Sequence, residues 1–246
     1  MSIKQAVSAA NLSALLEQHG HKKFPKLPSV LMTGTERAGS IGEAIARRFD
    51  FASSYIGDVT QDIDRRQLRG HDTLIMCHGE VHLDWFEDAP LDRVKAIFDV
   101  NLFGSYNMAQ AFVQESIGLD VRKRIVMIGS MAHRAVLNGS SAYCASKAGL
   151  AHLARCMAWE LAPKGYDVYC VHPSNTLGAP MSEATIIGLM RYRGLGREEA
   201  EAYWNDSPIR TNTLTPEDIA EVVKSLIDNK SGYMSGSQVE LAGGLR

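Results

Sequence analysis

"SVLMTGTERAGSIGEAIARRF", residues 29–49, passes from an apolar run through three glycines into a helical pattern. Val30, Leu31 and Met32 are continuously apolar, not alternating, which suits a strand buried on both faces. The glycines between strand and helix suggest a phosphate cradle, because backbone N–H groups at a helix start face an anion. Their spacing, Gly34-x4-Gly39-x2-Gly42, is not that of the G-x-G-x-x-G fingerprint. On its own, the loop therefore leaves both a nucleotide site and an ordinary glycine-rich turn open.

The same alternation recurs downstream. Apolar runs "DTLIMCHG" (72–79), "RIVMIGS" (124–130), "DVYCVHP" (167–173) and a weaker "ASSYIG" (52–57) each precede a helix-like segment. Helical patterns cover 40–50, 92–117, 141–162 and 216–229. In the last, Thr215 is placed as N-cap, Pro216 at the first helical position, and Asp218 to complete a capping box. Alternating β and α units predict an α/β, doubly wound parallel sheet with helices on both faces. Ligands bind beyond the carboxyl ends of such strands, where Gly34, Gly79, Ser130 and Pro173 fall. With no internal repeat, residues 29–246 read as one domain, preceded at 1–28 by an amphipathic helical extension and a linker.

Bulk composition narrows the function classes. The 246 residues are 45% apolar and 22% charged with a net charge of −2 and no block of like charge, which argues against nucleic acid or a membrane surface as partner. Cysteines 77, 144, 156 and 170 form no C-x-x-C pair, and histidines do not cluster at metal spacing, so reduced thiols in a cytoplasmic protein without metal are expected. Asn11, Ser13 and Glu17 interrupt the N-terminal apolar pattern too soon for a secretory segment, and no stretch reaches transmembrane length.

The segment "SAYCASKAGL" (141–150) carries the chemistry. Opening a helix, it sets Tyr143 and Lys147 one turn apart on one face. A phenol with a reference pKa of about 10 is a poor acid or base near neutrality, but a nearby ammonium favours the phenolate, at about 1.4 kcal/mol per unit. Alone, the pair reads equally as a surface Tyr and Lys. Ser130, however, ends an apolar run thirteen residues earlier, and Asn101 lies in "DVNLFG" within the preceding helical pattern.

With these residues in place, the chain resembles the short-chain dehydrogenase/reductase family of Rossmann-type oxidoreductases. The resembling stretches are "TGTERAGSIG", "CHG" at 77–79, "VNLFG" at 100–104, "IGS" at 128–130, "YCASK" at 143–147, "HPSNT" at 172–176 and "AGG" at 242–244, in the family's order. The resemblance implies an NAD- or NADP-dependent enzyme that interconverts a secondary alcohol and a ketone. It makes Tyr143 the general acid/base and has Ser130 hydrogen-bond the substrate oxygen. Lys147 would lower the Tyr143 pKa and hold the nicotinamide ribose, while Asn101 would distort its helix and support a water. At the cofactor it implies Gly34, Gly39, Ser40, Ile41 and Gly42 around the pyrophosphate, with Gly79, Pro173 and Thr176 nearer the nicotinamide.

Several departures bear on the cofactor. The glycine loop is two residues longer than the family pattern, with Ser40 at the middle glycine and Ser40–Glu43 reading as a capping box. Gly34 and Gly79 are only 45 positions apart, room for one strand-helix unit where the family has two, so a sheet of about six strands is expected, one peripheral strand missing. Asp58 in "GDVTQ" could accept from the ribose hydroxyls and favour NAD, while Arg37 could pair with a 2′-phosphate and favour NADP. His78 replaces a family alanine and reads either as a cofactor contact or as a buried, satisfied histidine.

Residues 177–213, with Met181, Met190, Tyr192 and Trp204, read as a substrate lid over a small carbonyl or alcohol. Small residues along the Tyr143 helix, and the family's habit, imply a homodimer or homotetramer. A catalytically silent dinucleotide-binding sensor or scaffold of the same fold is the alternative.

Overall fold

The computed structural model describes residues 29–176, 178–205 and 213–244. The expected N-terminal extension and, of the lid segment, residues 177 and 206–212 lie outside the described residues. Six strands form one parallel sheet: β1 (Val30–Thr33), β2 (Ser53–Ser54), β3 (Thr73–Met76), β4 (Lys123–Ile128), β5 (Tyr166–Pro173) and β6 (Gln238–Leu241), in the order β2-β1-β3-β4-β5-β6. The short region between Gly34 and Gly79 supplies a single edge strand, β2, paired with β1 through Leu31–Ser53 and Met32–Ser54. On its other side β1 pairs with β3, Val30 opposite Thr73. Strand order reverses between β1 and β3, which opens a crevice at their carboxyl ends.

Seven helices cover the sheet: α1 (Ile41–Ala46), α2 (Leu91–Phe98), α3 (Ser105–Ser116), α4 (Ser141–Leu161), α5 (Pro180–Arg193), α6 (Arg197–Asn205) and α7 (Pro216–Asp228) among the described residues. Alternate strand residues feed two cores. Leu31, Leu74 and Ile125 pack with Met108, Phe112, Leu150 and Ala154 on the α3/α4 face. Val30, Ile75 and Val126 pack with Ile45, Ile219 and Val223 on the α1/α7 face. The capping box of α7 forms as read: Asp218 N–H donates to Thr215 Oγ1 at 3.2 Å, and Thr215 N–H to the Asp218 carboxylate at 2.9 Å.

Three local expectations change. The pattern at 92–117 is two helices, α2 and α3, separated by a π-helical turn at Asp99–Gly104, the helix distortion at Asn101 that the resemblance implied. Gly104 belongs there because a Cβ would lie 2.7 Å from Val59 Cγ2. The helix of the single strand-helix unit between Gly34 and Gly79 is only a 3-10 turn, Arg65–Leu68, capped by Asp64 accepting from Arg66 N–H at 3.1 Å. Finally, only Ser53 and Ser54 of "ASSYIG" pair as a strand, because the chain turns away through Gly57 at φ +154°.

His78, half-buried, ties these parts together, with both ring nitrogens hydrogen-bonded as in the satisfied-histidine reading. The Ser105 hydroxyl donates to Asn101 O at 3.0 Å, so it accepts from His78 Nε2–H at 3.0 Å. His78 Nδ1 then accepts from the Thr33 hydroxyl at 2.6 Å, and Thr33 Oγ1 from Cys77 N–H at 3.3 Å. This chain joins the end of β1 to the π-helical turn. Burial, aided by the Lys147 charge, pushes the His78 pKa down to about 3. The unfolded chain, with histidine near its reference value of about 6.5, therefore binds a proton first as pH falls. Stability from a neutral His78 is present above about pH 6.5 and is lost progressively towards pH 3. In denaturant titrations, the protein is expected to lose about 1.4 kcal/mol more between about pH 7.5 and about pH 5.5 than His78→Gln does. Equal losses would contradict the assignment.

Candidate active site

Tyr143 and Lys147 lie in the first two turns of α4, whose stripe of Leu150, Ala151, Ala154 and Ala158 is buried against the sheet. Both side chains are buried at the carboxyl end of β4. Lys147 Nζ donates to Ile128 O, the last carbonyl of that strand, at 3.1 Å. Ser130 follows after Gly129, and its Oγ accepts from Ala132 N–H at 3.1 Å, capping the turn Met131–His133. That leaves the hydroxyl proton free to turn towards the Tyr143 phenol, whose pKa the Ser130 hydroxyl draws down.

Burial sets the electrostatics. The Tyr143 phenol is pushed up to about 12 by desolvation, with the Ser130 hydroxyl pulling the other way. Lys147 Nζ sits 5.8 Å from the Tyr143 ring centroid and donates to a carbonyl, and burial, not the ammonium, sets the direction of the phenol's shift. Lys147 is itself driven down to about 8 by burial, against the Cys77 and Cys170 thiols. Burial raises both thiols to about 12, so they are neutral.

Asn101 sits in the π-helical turn, fully buried. Its Oδ1 accepts from Glu80 N–H at 2.8 Å, while Nδ2 donates to Glu80 O at 2.9 Å and Ser146 Oγ at 3.0 Å. A Cβ on neighbouring Gly79 would lie 3.3 Å from Asn101 Oδ1, 3.5 Å from Lys147 Nζ and 3.6 Å from Met181 Cε. From α5, Met181 Sδ meets the Tyr143 hydroxyl at 3.9 Å. The fold thus gathers Asn101, Ser130, Tyr143, Lys147 and Gly79 in one place, with Met181 over them. Sequence placed Met181 in the lid but gave no sign that it would reach the phenol.

The glycine loop abuts the same crevice. Gly34 has φ +69°, and a Cβ there would lie 2.7 Å from Cys77 C and His78 N. A Cβ on Gly42 would lie 2.2 Å from Gly34 O, so α1 can start only where both residues lack side chains. Ser40 caps α1, its Oγ accepting from Glu43 N–H at 3.1 Å. The return half of the expected capping box is displaced, because Glu43 accepts from Gly39 N–H at 2.7 Å and pairs with Arg47 at 2.6 Å. The longer loop causes this: a turn closed by Ser40 N–H to Arg37 O at 3.1 Å brings Gly39 N–H beside Glu43. Ile41 turns its side chain into the α1/α7 core, leaving its backbone to the loop.

Pro173 ends β5 opposite Leu241, and Thr176 is buried, its hydroxyl donating to Ser174 O at 3.0 Å. Beyond it, Gly178 O lies 3.5 Å from where a Gly39 Cβ would be, so the root of the lid approaches the glycine loop. Arg37 and Asp58 stay at the open edge, both exposed. Asp58 Oδ1 accepts from Thr60 N–H at 2.9 Å and Thr60 Oγ1 at 2.8 Å, and these bonds lower its pKa. A contact not anticipated from sequence joins the two sides: Thr35 Oγ1 meets Ser54 Oγ at 2.7 Å, linking the loop to the end of β2. Close backbone approach at Gly34 and Gly42, positive φ at Gly39 (+73°) and a capped helix start fit a dinucleotide pyrophosphate.

The family model described as enoyl-(acyl carrier protein) reductase matches residues 36–246. A 2,3-dihydro-2,3-dihydroxybenzoate dehydrogenase specific to vibriobactin, from Vibrio cholerae, is 30% identical over 179 residues, covering 72% of this chain and 67% of its own. A 3-oxoacyl-[acyl-carrier-protein] reductase from Rickettsia prowazekii is 24% identical over 222 residues, covering 88% of this chain and 86% of its own. The crystal structure of sorbitol-6-phosphate 2-dehydrogenase from Erwinia amylovora superposes with a TM-score of 0.78 at 19% identity, covering 87% of this chain and 98% of that one. The chain belongs to the short-chain dehydrogenase/reductase family of NAD(P)-dependent oxidoreductases.

Proposed function

We propose that this enzyme interconverts a secondary alcohol and a ketone, with Tyr143 as general acid/base. The observation that carries this reading is the buried Tyr143 within the influence of the Ser130 hydroxyl, with Lys147 one turn away and Asn101 fixing Gly79–Glu80 beside them. The nicotinamide of a bound NAD or NADP supplies or takes the hydride. Ser130 orients the carbonyl oxygen, and Tyr143 delivers a proton to it during reduction. A phenol held near 12 is protonated across the physiological range, so the resting site is poised as the acid. Lys147 holds the ribose, and Gly34, Gly39, Ser40, Ile41 and Gly42 present backbone to the pyrophosphate. Gly79, Pro173 and Thr176 border the nicotinamide. Arg37 and Asp58, at the open edge, are the side chains from which NADP or NAD preference would come.

Residues 177–213 act as the lid of a single domain spanning 29–246. Met181 on the phenol supports that reading, as does the apolar cluster of Leu83, Ile186, Leu189 and Ala200 beneath α5 and α6. One observation favours the silent-binder alternative: the Glu43 carboxylate occupies Gly39 N–H, where a phosphate would bind. Arg47 already holds the other Glu43 oxygen at 2.6 Å and offers the carboxylate a partner when phosphate arrives.

Outward-facing Phe103, Tyr106 and Trp159, with the small residues of α4, support a homodimer or homotetramer in solution. Light scattering at micromolar concentration should report at least two chains per particle, and a species of single-chain mass would contradict it. With NADH and NADPH over a panel of ketones, Tyr143→Phe should lower turnover at least about 100-fold while cofactor quenching of tryptophan fluorescence persists. Wild-type turnover in that variant would refute the mechanism. Tight cofactor binding by the wild type without turnover on any substrate would favour the silent binder.

A further inference from the structure

Behind Ser130 lies a cluster that the proposed mechanism does not use. His172, near the end of β5, is fully buried, and its ring stacks on His133 with centroids 3.9 Å apart and planes at 30°. Both rings turn Nδ1 towards the backbone of Ser130. His133 Nδ1 donates to Ser130 O at 2.9 Å, and Ser130 N–H approaches His172 Nδ1 at 3.3 Å. Gln238 fixes the His172 tautomer: its amide nitrogen donates to Gly236 O at 3.2 Å, so Oε1 faces His172 Nε2 at 2.8 Å and accepts from it. Nδ1 of the neutral ring is then the acceptor for Ser130 N–H. Gly129 makes the approach possible, since a Cβ there would lie 2.5 Å from His172 Nδ1.

We propose that His172 and His133 are positioning residues that grip the peptide groups of Ser130 and hold its hydroxyl in register with Tyr143. This rests on the reading of Ser130 and Tyr143 as the pair that meets the substrate oxygen. The two histidines take opposite ends of one residue, acceptor for its N–H and donor for its C=O, so Ser130 cannot rotate without losing both. They also connect that residue to the edge strand. Gln238 and Glu240 lie on β6, and Glu240 stands opposite His172 in the strand register. His133 Nε2 lies 3.4 Å from Glu240, which Arg134 holds through both carboxylate oxygens at 2.8 Å.

Protonation undoes the grip in a defined way. An imidazolium at His172 has no acceptor for Ser130 N–H and instead directs Nδ1–H at Ser130 O, 3.1 Å away. The charged groups facing the pair are Glu240 from β6 and Arg134 from the turn. From α4, Lys147 and Arg155 act on Cys170, which lies two residues earlier on the same face of β5. Burial holds the His172 pKa below its ordinary value, so the working neutral form prevails at neutral pH and is lost on acidification.

The test compares His172→Phe, which keeps the stacked ring but removes both nitrogens, with His172→Asn. The Asn Oδ1 stands as many bonds from Cα as Nδ1 does and can accept from Ser130 N–H. With a ketone that the wild type reduces, His172→Phe should lower kcat at least about tenfold and leave the cofactor Kd within about twofold. His172→Asn should recover most of kcat and lack the acid-side decline of the wild-type kcat–pH profile. Unchanged kcat in His172→Phe, equal impairment of both variants, or an acid limb retained in His172→Asn would each overturn the proposal. Tyr143→Phe, measured alongside, separates the two claims. If it alone loses turnover, the positioning role falls and the active site stands, whereas if it keeps turnover, the reading of the site itself falls.

Discussion

The Asn101 carboxamide pairs with the backbone of Glu80 as one strand pairs with another, one oxygen accepting and one nitrogen donating. Nearly everything at the crevice hangs on that buried pairing. It fixes the segment leaving β3, and its second N–H reaches Ser146 on α4, the helix that carries Tyr143 and Lys147. A buried amide without partners costs several kcal/mol, so these three bonds determine where each element can sit. The π-helical turn is the backbone form that points Asn101 inward between them, and such turns recur at functional sites. His78 then carries the link back to Thr33 at the end of β1. One hydrogen-bonded path thus runs from the base of the glycine loop to the Tyr143 helix.

Desolvation gives this site its chemical character. It raises the Tyr143 phenol, the Cys77 thiol and the Cys170 thiol, and it lowers the Lys147 ammonium and His78. In every case the neutral form is favoured, as expected where water is excluded from titratable groups. The residues best able to reverse this are local hydrogen-bond donors, and Ser130 is the one that meets the phenol. On the proposed reading, a small rotation of Ser130 alters both substrate contact and proton transfer, which is why its backbone anchors matter.

The central strands were legible because parallel strands buried on both faces must be continuously apolar, as "VLMT", "TLIM" and "RIVMI" are. Edge strands escape that rule. Ser53–Ser54 is exposed and only two residues long, and Gln238–Leu241 alternates polar with apolar, so the missing peripheral strand was easier to infer from chain length than the surviving one was to bound. Ser130, Tyr143 and Lys147 were singled out by the family resemblance, since their spacing alone left a surface Tyr and Lys open, and the fold places all three at the carboxyl end of β4. What spacing could not convey was the break in the 92–117 pattern, since a π-helical turn preserves helical periodicity on either side. Nor could it convey the direction of the Tyr143 shift, which depends on burial. The Glu43 contact depended on the path of a loop two residues longer than usual, and the reach of Met181 depended on how α5 packs. Both are consequences of tertiary structure, without a local signature.

The central claim is that this crevice carries a hydride between a nicotinamide and a carbonyl carbon. The most direct measurement is to supply nicotinamide cofactor deuterated at the transferring position of C4, with a ketone panel, and to analyse the products by mass spectrometry. The account predicts an alcohol carrying one deuterium on the former carbonyl carbon, with none washed into solvent. Cofactor that binds tightly while no product acquires deuterium at that carbon, from either face of the ring, would contradict it.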